Sequence, residues 1–134
     1  MAYSIAEVAK KYNLAPHTLR YYDKEGLLPF MQRTASGVRI FSDRDLFLLD
    51  VILCLKDSGL AIKQIKSYIE WCVEGDASLK PRLDFMLNHK KEMQKQIDEL
   101  NKHMELIDYK IWYYETSIEA GTSDIHKKKE EVAV

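Results

Sequence analysis

The chain has 134 residues, of which 46% are hydrophobic and 31% charged, with five glycines and three prolines. This is the composition of a helix-rich folded chain of one small domain plus an appendage; it excludes collagenous, disordered and large multi-domain enzyme classes. The formal charge of −1 hides an asymmetry. Residues 1–44 carry seven Lys/Arg against four Asp/Glu, a net +3, and the remainder carries thirteen against seventeen, a net −4. A basic head on an acidic body fits a polyanionic partner.

Chain order begins with Ser4-Ile5-Ala6-Glu7, a capping box opening a first helix whose apolar positions are Ile5, Val8, Ala9 and Tyr12, closed by Asn13. Ala15-Pro16 starts a second helix that runs through Leu19 and Tyr22 to a stop at Gly26. Two short helices joined by two or three residues predict a helix-turn-helix. Leu27–Met31 and Arg33–Phe41 then read as two extended runs about a Ser36-Gly37 turn, a small hairpin or wing. Ser42-Asp43-Arg44-Asp45 caps a third helix ending at Ser58-Gly59, and a fourth covers about 62–74.

The longest element is predicted from Ser78 to Ala120. Positions 83, 86, 90, 93, 97, 100, 104, 107, 111, 114 and 118 are separated by alternating steps of three and four, and all but Lys90 are apolar. That is a coiled-coil seam, which a small head cannot cover, so a homodimer is expected. The domain reading is a head at 1–75, a dimerisation helix at 76–120 and a flexible tail at 121–134 containing Lys127-Lys128-Lys129-Glu130-Glu131. No apolar run spans a membrane and no secretory leader is recognisable at the N-terminus, so a cytoplasmic location is expected.

With Leu19 and Tyr22 turned inward, the second helix offers His17, Thr18, Arg20 and Tyr21 on its other faces, the side-chain types that read a major groove. Arg33 and Arg39 flank the wing turn as candidate phosphate contacts. The alternative for these residues is structural, with Arg20 paired to Asp23 and the tyrosines in the core. Cys54 and Cys72 are too few for a disulfide framework. No catalytic constellation is present and no enzyme is expected. His89, His103 and His126 are too widely spaced to share a metal, and no cofactor is expected.

The blocks Ser4–Ala9, Pro16–Pro29 (PHTLRYYDKEGLLP) and Arg33…Ser36-Gly37…Arg39 resemble the MerR family of bacterial transcription regulators. The resemblance implies a mainly α fold: a winged helix-turn-helix head, two connecting helices and a long helix forming an antiparallel coiled coil with its dimer mate. It implies promoter DNA as partner, contacted by Pro16, His17, Thr18, Arg20, Tyr21, Tyr22, Arg33, Ser36, Gly37 and Arg39, and distortion of that DNA for RNA polymerase. Val38 stands where the family usually has an aromatic residue. The stretch around Cys54 resembles the subgroup responsive to aldehydes and thiol stress, which implies redox sensing by Cys54. Only a thiolate reacts, and Lys56 is the one nearby cation that could assist it. The bland alternative makes Cys54 a small buried hydrophobe. Two further alternatives are an apolar ligand bound between head and dimer helix, and a coiled-coil interaction protein that does not bind DNA.

Overall fold

In the computed structural model, which describes residues 1–127, eight elements follow one another: β1 (Ala2–Tyr3), α1 (Ile5–Tyr12), α2 (Pro16–Lys24), β2 (Gln32–Arg33), β3 (Arg39–Ser42), α3 (Asp43–Asp57), α4 (Ile62–Glu74) and α5 (Leu79–Ala120). Short 3-10 turns at Asp76–Ser78 and Ser123–His126 flank α5. The described chain falls into two units, Met1–Leu87 and a second starting at Asn88.

The helix starts are local chemistry. Ser4 Oγ accepts from the Glu7 amide while the Glu7 carboxylate accepts from the Ser4 amide, so two orphan donors are satisfied at once. Asn13 closes α1 in the left-handed region at φ 54°, a conformation its short polar side chain tolerates. Pro16 occupies the first turn of α2, where a missing amide costs nothing. At α3 the capping box recurs, with Ser42 and Asp45 in the two roles.

The wing is smaller than the hydrophobic runs predict. Leu27 and Leu28 are buried in the core and take no strand, so the hairpin consists of β2 and β3 alone, with Gln32 opposite Ile40 and Arg33 opposite Arg39. A strand absent from the prediction, β1, pairs with the other edge of β3 through Ala2–Ser42 and Tyr3–Phe41. The wing turn closes through the Gly37 amide on the Thr34 carbonyl at 2.9 Å. Gly37 sits at φ +86°, where a side chain would be strained.

The core of the first unit is built from Val8, Leu19, Tyr22, Leu27, Phe41, Leu49, Ile52, Ile65 and Ile69, drawn from α1 to α4, β3 and, through Leu27, the loop after α2. The first turns of α5 belong to this unit. Phe85 stacks on Tyr68 at 5.4 Å and meets Trp71 edge-on at 5.9 Å, while Met86 packs against the same core. These contacts place the first turns of α5 with the head, and the division between the two units falls after Leu87.

Within the second unit Met93 of the seam is half-buried, and the seam positions after it are uncovered: Ile97, Leu100, Met104, Ile107, Ile111, Tyr114 and Ile118 are 45–80% exposed. His126 folds back, its Nε2 2.7 Å from Thr116 Oγ1 and its ring stacked on Tyr113 at 4.3 Å, and becomes buried. The lysine and glutamate run beyond Lys127 lies outside the described residues.

Candidate nucleic-acid interface

Helix α2 carries the expected recognition face. Leu19 and Tyr22 point into the core, which turns Pro16, His17, Arg20 and Tyr21 outward, with Thr18 half-buried. The structure places Tyr22, which the resemblance put among the DNA contacts, in the core. It is 1% exposed and its hydroxyl accepts from Lys56 Nζ at 3.0 Å. Tyr21 remains accessible, its ring tilted against that of Tyr22 at 6.1 Å.

The sequence left open whether Asp23 neutralises Arg20. In the structure Asp23 faces the wing instead. One oxygen, Oδ2, accepts from Arg39 Nε at 2.7 Å and from Arg33 Nη2 at 3.0 Å. Arg33 also donates from Nη1 to the Gly37 carbonyl at 3.1 Å, reaching the wing turn itself. Both wing arginines, expected to point at phosphates, are thus engaged within the head, while Arg20 lies exposed. The physical reason is proximity: β2 and β3 pass beside the third turn of α2, and a carboxylate there is a stronger local partner than water.

At the wing tip Ser36 Oγ lies 3.0 Å from Thr34 Oγ1, and the Val38 amide donates to Thr34 Oγ1 at 3.1 Å. Val38 is exposed, so the tip offers an aliphatic surface to whatever it meets. A cation that the sequence pattern did not single out is Arg44. The Arg44 guanidinium sits over the Phe30 ring at 3.4 Å, fixed by a cation–π contact that sequence separation concealed. The acid Asp23 within the basic head was the signal that could have revealed the wing clamp.

Cys54 lies in the last turns of α3 and is exposed, against the buried alternative; Cys72 is half-buried. Lys56, the cation that the sequence offered to Cys54, is turned to Tyr22, and that hydrogen bond raises the Lys56 ammonium above its ordinary value. Burial and then the neighbouring Cys72 push the Tyr68 hydroxyl up.

A helix-turn-helix braced by a wing, with a cationic and aromatic row along its second helix, defines a DNA-binding head of the winged helix-turn-helix class. Residues 3–70 match the MerR HTH family of regulatory proteins, and the chain belongs to that family of DNA-binding transcription regulators. An HTH-type transcriptional regulator from Haemophilus influenzae is 38% identical over 91% of this chain and 90% of its own length. The Bacillus subtilis regulator AdhR is 32% identical over 67% of this chain and 64% of its own length. Among solved structures, HiNmlR, described as a MerR family regulator lacking the sensor domain and bound to promoter DNA, superposes with a TM-score of 0.79 at 38% identity. That alignment covers 93% of this chain and 99% of HiNmlR. A putative MerR family regulator from Listeria monocytogenes gives 0.82 at 27% identity, covering 96% and 98%.

Proposed function

We propose that this regulator acts in the cytoplasm as a homodimer on promoter DNA, with α2 in the major groove and the wing against the flanking backbone. His17, Thr18, Arg20 and Tyr21 read or anchor the groove from a helix whose first turn is set by Pro16. Ser36, Gly37 and Val38 form the wing tip, and Arg33 and Arg39 hold that wing beside α2. The observation that carries this reading is the outward row of α2, left exposed and cationic while the wing is pinned to the same helix by Asp23. Dimerisation is supported by the uncovered seam of α5, whose large apolar side chains each gain roughly 1.5–3 kcal/mol on full burial. Two heads at fixed separation can bend and untwist the intervening duplex for RNA polymerase, at a cost of several kcal/mol offset by phosphate contacts.

The signal enters, in this reading, at Cys54. Its exposure leaves the sulfur open to aldehydes or oxidants, and HiNmlR, a relative of matching length, is described as lacking a sensor domain. The test is fluorescence anisotropy on the duplex upstream of the protein's own gene, with in vitro transcription from it. Arg20→Ala is expected to weaken binding by about 1–3 kcal/mol and to flatten the salt dependence by about one phosphate contact. Cys54→Ser is expected to bind DNA normally and to stop responding to aldehyde or oxidant. An unchanged response in that variant overturns the thiol assignment, and salt-independent binding overturns the DNA surface.

A further inference from the structure

Asp23 is an acid set between the recognition helix and the wing, the two elements read as the DNA surface, and its charge opposes binding to any duplex whatever the sequence. Its geometry suggests what it contributes in return. From the third turn of α2 a single oxygen takes Arg39 Nε at 2.7 Å and Arg33 Nη2 at 3.0 Å, and Arg33 passes the link on to the Gly37 carbonyl at the wing turn. The connection α2–Asp23–Arg33–Gly37 ties the recognition helix to the wing tip through two side-chain hydrogen bonds, and Arg39 adds a third on the same carboxylate oxygen. The side chains of Asp23 and Arg39 are 14% and 22% exposed, against 47% for Arg33. The Arg39 pair is therefore the better shielded anchor, and the Arg33 pair is the more screened arm.

We propose that Asp23 is a positioning residue that sets the ratio of specific to non-specific DNA binding, by withholding the two wing arginines from phosphates and fixing the wing in one register against α2. The proposal rests on the reading of α2 and the wing as the DNA surface. Its logic is electrostatic. On a random duplex, phosphates attract any cation free to move, and each one engaged adds about 0.9 to the slope of log affinity against log salt. Arginines held by Asp23 contribute less to that sequence-blind term. On the correct site the fixed wing is already aligned with the groove that α2 occupies, so the same restraint costs little.

The test uses the full-length protein, a random-sequence duplex, and a duplex enriched by the wild-type protein from a randomised pool. Asp23→Asn keeps shape and removes the charge. Binding of the random duplex is expected to tighten several-fold, its salt slope to steepen by about one to two contacts, and the specific-to-random ratio to fall by about tenfold. Amide exchange at Gly37 and Val38 is expected to accelerate in the free variant, and Asp23→Glu to restore part of the ratio. An unchanged ratio, or equal losses on both duplexes, overturns the proposal. Should Asp23→Asn not fold, Arg39→Gln and Arg20→Gln decide the matter on the random duplex. Arg39→Gln is expected to flatten the salt slope by less than half as much as Arg20→Gln does, and equal flattening overturns the proposal. A wild-type protein that enriches no sequence from the pool removes the reading of the DNA surface itself, a failure distinct from a wild-type preference that Asp23→Asn leaves intact.

Discussion

Lys56 Nζ donates to the Tyr22 hydroxyl at 3.0 Å, joining the last turns of α3 to the inner face of the recognition helix. The ammonium also lies 5.5 Å from the centre of the Tyr22 ring. A residue placed in the DNA-reading motif by its position in the sequence is thereby a structural pin, and a cation two residues from Cys54 serves α2 instead.

Removing that hydroxyl separates the two roles. Tyr22→Phe keeps the buried ring and loses one hydrogen bond, so the protein is expected to lose about 1 kcal/mol, roughly 5 °C in Tm for a domain of this size. DNA affinity at low temperature is expected to stay within about twofold of wild type, since the ring does not reach the surface. Calorimetry and anisotropy on the same preparation check both. A large affinity loss with unchanged Tm would return Tyr22 to the DNA surface.

Alkaline pH probes the contact between α1 and α3. Tyr12 donates its hydroxyl to the Leu46 carbonyl at 3.2 Å, and partial burial, then the neighbouring Asp50 carboxylate, push its proton up from 10.0 to about 12. The folded state thus favours the protonated phenol. That contribution to stability is complete below about pH 10 and is lost as pH rises through about 12. Tyrosinate absorbance is expected to show a late phase that Tyr12→Phe abolishes, together with a shallower fall of stability across the same pH window.

The two thiols differ in access. Native-state alkylation with iodoacetamide is expected to modify exposed Cys54 about tenfold or more faster than half-buried Cys72, with the rates converging in denaturant. Peptide mapping over time reads the order. Cys72 reacting first would leave the sensor assignment without its structural support.

Local chemistry was legible in the sequence. The Ser4–Glu7 and Ser42–Asp45 boxes, the Asn13 closure, Pro16 in a first turn and the glycine turns act within three or four residues, so the helices of the head were predicted close to their observed limits. The two-residue strand β1 was not legible, because it exists only as a partner for β3, forty residues on. The Leu27–Met31 run was misread as a strand because hydrophobicity alone does not distinguish a buried loop from an extended edge. In the site, the outward row of α2 followed from helical spacing. The engagement of Arg33 and Arg39 did not, since their shared acid lies ten and sixteen residues away.

By itself the sequence determined the helices, their caps, the basic head and the heptad seam, because period and capping are properties of neighbouring residues. Only the tertiary structure decided which cations remain outward. Asp23 takes the wing arginines, Tyr22 takes Lys56, Phe30 carries Arg44, and Arg20 is left exposed on α2. The reason is that a charged side chain several bonds long pairs with whatever packing brings within about 3 Å, and that distance is set by how helices and wing meet rather than by their order along the chain.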